Sequence, residues 1–122
     1  MAKIREIIER VDGYKPNAFD NRAKLGWLTA LEGKIAADVM HMSIDDIQVL
    51  NYRFPEDMET EPLVRFPHDD IYELWLAARI DFENGEYNKY QNTMEMYNAA
   101  YGNFVHWFVS NYDPAQGYRN GG

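Results

Sequence analysis

The sequence contains no cysteine, few serines and no long apolar run, and each deficit excludes a class of protein. Without cysteine, the 122-residue chain has no disulfides, no thiol chemistry and no thiolate metal site. The serines are Ser43 and Ser110, and neither has both a histidine and an orienting acid at useful spacing for nucleophilic catalysis. No stretch approaches the roughly 18 apolar residues of a membrane span. We therefore expect a soluble protein, made in a cytoplasm, that does not contact a membrane.

Basic residues are also scarce. Twelve Lys and Arg oppose twenty Asp and Glu, a net charge of −8, whereas free nucleic-acid binders are expected to be basic. The imbalance is uneven, because residues 1–34 carry seven basic and five acidic groups and the remaining 88 carry five and fifteen. This asymmetry would allow the basic end of one subunit to meet the acidic part of another. The high aromatic share of 15% is also typical of extensive self-association.

Apolar periodicity predicts a mainly all-α fold with four helices, at about 3–12, 20–42, 69–84 and 86–111, in a single domain spanning 1–122. Asn84-Gly85 separates the last two helices, which we expect to form a hairpin. The fourth helix carries an aromatic stripe of Tyr87, Tyr90, Met94, Tyr97, Tyr101, Phe104 and Phe108. The third helix has a matching apolar face, formed by Ile71, Leu74, Trp75, Ala78 and Phe82. We interpret the stripe as mainly core, with the tyrosine hydroxyls along one edge reaching solvent. We expect the tail 113–122 to be flexible.

The segment at about 44–66, called the insertion below, breaks the helical pattern. It holds two short runs rich in strand-favouring residues, separated by an acidic loop between Pro55 and Pro62. Two short strands, as in a β-hairpin, would satisfy this pattern, and so would a long extended arm. A third possibility is that Ser43 caps one further helical turn through Asp45 and Asp46. Loops of this length in a compact domain are typically functional or disordered.

The sequence contains no recognisable catalytic, cofactor-binding or metal-binding residues, and we expect no enzymatic activity. Asp38 and His41 are half of a possible metal pair, but the chain has no Glu-x-x-His motif for a di-iron bundle. One remote alternative is an all-α, metal-dependent nucleotide hydrolase, whose carboxylates would be Glu6, Glu9, Asp81 and Glu86. The Asn84-Gly85 break disrupts the spacing that such an enzyme needs, and a solvated acidic face is the simpler interpretation.

In the order of its elements and in the residues of several segments, the chain resembles the head–tail connector (neck adaptor) proteins of tailed bacteriophages and prophages. The segments that carry the resemblance are Lys24–Leu28, Leu31–Ile35, Glu61–Val64, Pro67–Leu76, Ile80–Phe82, Gly85–Asn92 and Tyr97–Tyr101. Together they cover most of residues 20–108. They form a pattern of apolar and aromatic positions without catalytic residues.

The resemblance implies a virion structural protein, made in the bacterial host and located in the neck. Its subunits would form a homo-oligomeric ring between the portal protein and the tail proteins. DNA would pass through the lumen without sequence-specific binding, and negative charge would suit such a lumen. The insertion and the tail would reach neighbouring subunits. The candidate interface residues are therefore Tyr52, Phe54, Leu63, Val64, Phe66, Tyr118 and Arg119. Another tail-completion or capsid-accessory protein is the alternative.

Overall fold

The computed structural model describes residues 2–113 and 117–118. Over these residues the α-helices are α1 (Ile4–Asp12), α2 (Asn21–Lys34), α3 (Ile44–Gln48), α4 (Asp70–Glu83) and α5 (Tyr87–Asn111). A π-helical turn at Ile35–Val39 continues α2. The backbone of β1 (Tyr112–Asp113) pairs antiparallel with that of β2 (Gly117–Tyr118). The all-α fold class is confirmed, whereas most of the tail predicted to be flexible at 113–122 lies outside the described residues.

The predicted helical hairpin is the centre of the fold. Gly85 adopts φ 73°, the left-handed conformation that glycine tolerates, and its N–H donates to the Phe82 carbonyl at 3.0 Å. Helix α4 then packs against α5 on one side and against α1 and α2 on the other. It is therefore apolar on two faces, and its fully buried residues include Ile71, Tyr72, Leu76 and Ile80.

Helix α1 docks on the core of its own subunit. Its apolar face, formed by Ile4, Ile7, Ile8 and Val11, is almost completely removed from water. A nine-residue helix is marginal in isolation, so this burial stabilises it.

The aromatic stripe of α5 is buried toward its C-terminal end and exposed to solvent at its N-terminal end. Tyr97, Phe104 and Phe108 belong to the core, whereas Tyr87 is exposed beside the turn that joins α4 to α5. Trp75 of α4 contacts Tyr97 with ring centroids 5.2 Å apart. The C-terminal half of the stripe thus holds the hairpin together.

The second predicted helix ends earlier than expected. Helix α2 begins as predicted, because the Asp20 carboxylate accepts from the Ala23 N–H at 2.8 Å. After Lys34 the backbone widens into the π-helical turn, in which the Met40 N–H donates to the Ile35 carbonyl at 3.0 Å. The helical run ends at Val39, residues 40–42 are not helical, and His41 takes φ 52°.

The insertion contains no strand within residues 44–66, so the prediction of a β-hairpin is wrong, and a short helix and several turns occupy the segment instead of a long extended arm. The alternative of a Ser43 cap is confirmed, since its hydroxyl accepts from the Asp46 N–H at 3.2 Å and α3 follows. Beyond α3 the chain forms local turns instead of a ladder. Its Met58 and Thr60 carbonyls accept from the first amides of α1, at 2.9 and 3.0 Å. The insertion therefore supplies the acceptors that the N-terminus of α1 needs.

Two glycines should respond oppositely to alanine. Nothing lies within 4 Å of a Cβ added at Gly33 of α2, so Gly33→Ala should raise the free energy of unfolding by about 1 kcal/mol through helix propensity. Gly85→Ala should lower it by about 1 kcal/mol, because alanine is strained at positive φ. Urea titrations would measure both, and equal shifts of the same sign would contradict the assignment.

Candidate partner-binding segment

A buried carboxylate fastens the insertion to the helical core. Glu32 lies on α2 and is 1% exposed. Its Oε1 accepts from the Tyr72 hydroxyl at 2.5 Å, and its Oε2 accepts from the Tyr52 hydroxyl at 2.6 Å and from the Leu63 N–H at 2.9 Å. We call these four residues the Glu32 clasp. Burial raises the pKa of Glu32 above its ordinary value, and the three hydrogen bonds oppose that shift.

Tyr72 extends the clasp by one more bond. Its hydroxyl donates to Glu32 and accepts from the Val64 N–H at 3.0 Å. Burial, followed by the neighbouring carboxylate, raises the pKa of both Tyr72 and Tyr52 above that of a free phenol. Both hydroxyls therefore remain protonated donors. The backbone amides of Leu63 and Val64, which have no strand partner, are satisfied by this network.

Surface ion pairs hold the other side of the insertion against α1. The Arg5 guanidinium lies 2.6 Å from Glu59, and the Lys3 ammonium lies 3.4 Å from the same carboxylate. The hydrogen bond from Arg5 lowers the pKa of Glu59, and the same bond raises the pKa of Arg5. All three side chains are substantially exposed, so these pairs orient the segment more than they stabilise it.

The predicted interface residues fall into distinct environments. Val64 is 3% exposed and packs in the core of its own subunit. Tyr52, Phe54 and Leu63 are half-buried, with Tyr52 held by Glu32. Phe66 is 81% exposed. The side chain of Tyr118 and all of Arg119 lie outside the part of the chain that the structure describes.

Three large apolar side chains project from the insertion into water. Phe66 is 81% exposed, Val49 77% and Ile44 76%, which exceeds the exposure of any other large apolar side chain in residues 2–111. The segment that carries them is fixed to the core at Glu32 and at α1. Contiguous exposed apolar surface marks contact sites for other macromolecules, and these three side chains are the apolar groups that the insertion offers to such a contact.

The charge asymmetry of the sequence is used largely within the subunit. Five of the seven basic residues in 1–34 form ion pairs, namely Lys3 and Arg5 with Glu59, Arg10 with Glu73, Lys15 with Asp81, and Lys24 with Asp12. Asp81 is buried and also accepts from the Thr93 hydroxyl at 3.1 Å, so it joins the α1–α2 loop to α4 and α5. These basic groups are thus not available to an acidic neighbour in this conformation.

The four carboxylates of the nucleotide-hydrolase alternative do not converge. Glu6 accepts from the Lys3 N–H, Glu9 pairs with Arg5, and Glu86 pairs with Lys89, while Asp81 is bound as described above. Among the described residues, no group of three or more His, Asp or Glu side chains is placed to hold a metal ion. The half-pair of Asp38 and His41 gains no further ligand there.

Comparison with known proteins adds no assignment. No family model, no curated protein and no solved structure matches this chain. Within the described residues, no helix is both long and apolar enough to cross a membrane.

Sequence reasoning missed the two central residues of the clasp, although the pattern held a signal. Glu32 occupies a position of the apolar stripe formed by Leu25, Leu28 and Ile35, at steps of three and four. A carboxylate at such a position must find buried donors or lose its charge. Tyr72 is not part of the apolar stripe that α4 turns toward α5, so the helical spacing of that stripe does not single it out.

Removing the Tyr72 hydroxyl should weaken the clasp without removing volume from the core. Tyr72→Phe leaves the Val64 N–H without an acceptor and Glu32 Oε1 without a donor, so we expect a loss of about 1–3 kcal/mol in unfolding free energy. Amide hydrogen exchange should accelerate most at Leu63 and Val64. Tyr87→Phe, on an exposed ring, is the matched control and should be nearly neutral. Equal effects of the two variants would contradict the clasp.

Glu32 should give the stability a pH dependence of defined sign. Its folded pKa is raised, so its stabilising contribution is complete below the unfolded pKa of about 4.3 and is lost as pH rises through the folded pKa. The difference in unfolding free energy between wild type and Glu32→Gln should therefore fall with rising pH. For Glu59→Gln the difference should rise with pH, because the folded pKa of Glu59 is lowered. Urea titrations from pH 4 to 8 would check both signs.

Proposed function

We propose that this protein is a non-enzymatic assembly subunit of the head–tail connector type, which forms a ring between the portal and the tail of a phage particle. The observation that carries the proposal is the anchored insertion with its exposed Ile44, Val49 and Phe66. A connector must present fixed contact surfaces to several neighbours at once. A segment held by buried hydrogen bonds meets that requirement without an ordering cost on binding.

The resemblance in residues 20–108 and the all-α architecture support the same proposal. In such a ring, DNA passes through the lumen without sequence-specific contacts. Most basic groups of the described chain are neutralised within the subunit, and the net charge of −8 remains. A negative surface repels the phosphate backbone and lets DNA slide. Another tail-completion or capsid-accessory role has no separate observation in its favour.

The test is the assembly state with and without the portal protein of the same genome. We expect native mass spectrometry or electron microscopy to show the protein bound to the portal as a ring of copies. Phe66→Ser should weaken that binding by about tenfold or more, because a large exposed apolar group at an interface acts as an anchor.

Met96→Gln, which removes another exposed apolar side chain from α5, is the control and should leave binding unchanged. Both variants should keep the wild-type unfolding free energy, since neither side chain is in the core. A wild-type protein that stayed monomeric at high concentration and did not bind the portal would overturn the proposal.

A further inference from the structure

An open groove lies beside the N-terminal half of α2. It has a volume of about 390 Å³ and is bounded by α2 on one side and by the insertion on the other. Its walls are Arg22, Leu25, Gly26, Arg53 and Phe54, together with Tyr52 of the clasp and the exposed Glu56. We call this the arginine groove. Tyr52 holds its side of the groove in place, because its hydroxyl donates a hydrogen bond to Glu32.

Two arginines of this groove differ from most basic residues of the described chain. Among the described side chains, no carboxylate lies within 4.0 Å of the charged group of Arg22 or Arg53, and both arginines are exposed. The Arg22 guanidinium lies over the Phe54 ring, 4.9 Å from its centroid. This cation–π contact holds the guanidinium beside the ring and leaves its N–H donors able to bind a carboxylate. The groove wall thus carries two arginines against one carboxylate, Glu56, and is a locally positive site in an acidic protein.

The groove also has room for backbone to approach closely. Gly26 is exposed on α2, and nothing lies within 4 Å of a Cβ added there. Glycine in a helix interior costs about 1 kcal/mol relative to alanine. Gly33 is equally open but lies outside the groove, so what distinguishes Gly26 is its place in the groove wall, where the missing side chain leaves space for a partner segment.

Helix α3 has the complementary character. Asp45 and Asp46 are exposed and have no basic partner within 4.0 Å among the described residues. Ile47 is half-buried, and helical spacing places Asp45 and Val49 on the opposite, outward side. Ile44 and Val49 flank the two carboxylates as exposed apolar groups. The helix therefore projects an acidic and apolar surface of the size of one helical turn.

The two surfaces lie at opposite ends of α2. The Met42 N–H donates to the Ala36 carbonyl at 3.0 Å, so α3 starts next to the C-terminal end of the helical run. Arg22 is fourteen residues before Ala36, or roughly 21 Å along the helix axis. A contact between two different surfaces at opposite ends is heterologous, and repetition of such a contact builds a ring when the rotation closes.

We propose that α3 of one copy docks in the arginine groove of the next copy, with Asp45 and Asp46 meeting Arg22 and Arg53. Ile44 or Val49 would cover the Leu25 and Gly26 surface of the groove. The proposal rests on the ring described under the proposed function and specifies which surfaces build it. Charge complementarity within an otherwise acidic chain is its main support.

Charge exchange tests this contact directly. Arg22→Glu with Arg53→Glu gives an acidic groove, and Asp45→Lys with Asp46→Lys gives a basic α3. Each double variant alone should self-associate about tenfold more weakly or worse, since like charges then face each other. An equimolar mixture should regain wild-type association, because an acidic groove meets a basic α3 and a basic groove meets an acidic α3. Analytical ultracentrifugation, with portal present if required, is the measurement.

The controls separate this contact from general repulsion and from misfolding. The first variant takes the net charge from −8 to −12 and the second from −8 to −4, so repulsion alone would act on them oppositely. Lys34→Glu with Lys89→Glu also reaches −12, on exposed residues outside the groove, and should not change association. Gly26→Gln should stabilise the helix yet weaken association, whereas Gly33→Gln should leave association unchanged.

The outcomes are distinct for the two proposals. Loss in each double variant with recovery in the mixture would establish the contact. If wild type forms rings and the double variants form them equally well, this contact is wrong and the connector proposal stands. If wild type neither self-associates nor binds the portal, both proposals are overturned.

Discussion

The structure depends on a carboxylate that has been taken out of water. Glu32 is shielded from solvent but receives three hydrogen bonds, from Tyr72, Tyr52 and the Leu63 amide. Each donor would itself be costly to bury alone. The insertion has no ladder to satisfy its backbone where it crosses the core, so the carboxylate takes the place of a neighbouring strand. Irregular backbone can therefore be held in a fixed position next to α2 and α4.

A second buried carboxylate does the same for the helices. Asp81 on α4 binds Lys15 from the α1–α2 loop and the Thr93 hydroxyl from α5. Together with the Lys24–Asp12 pair, it turns the basic N-terminal part toward acidic groups of its own subunit. Removing one partner of such a pair leaves an uncompensated charge, so these contacts specify how the elements pack. They also explain why so few basic groups remain for other molecules.

The hairpin and helix starts could be predicted because their causes are local. Asn84-Gly85, the Asp20 cap and the Ser43 cap each act within a few residues of themselves. The insertion could not be predicted in the same way. The bonds of Glu32 to Tyr52, Leu63 and Tyr72 span 20, 31 and 40 residues, and no window of apolar periodicity contains them. The strand-favouring residues of the insertion are compatible with a ladder, but local turns and the clasp satisfy their backbone instead. Val64 is an example: the sequence pattern places it in a peripheral segment, whereas the structure buries it in the core.

In the assembly that we propose, the clasp would also connect folding to association. A loose arm would have to lose backbone and side-chain freedom when it met a neighbour, at about 1–2 kcal/mol per backbone residue. In this protein that entropy is lost during folding, when Glu32, Tyr72 and the α1 amides fix the segment. The exposed Phe66 and the outward side of α3 are then presented in one arrangement rather than many. In the proposed assembly, affinity for a neighbour would therefore depend on groups that the neighbour never contacts, and a change at Glu32 would affect the interface as well as the core.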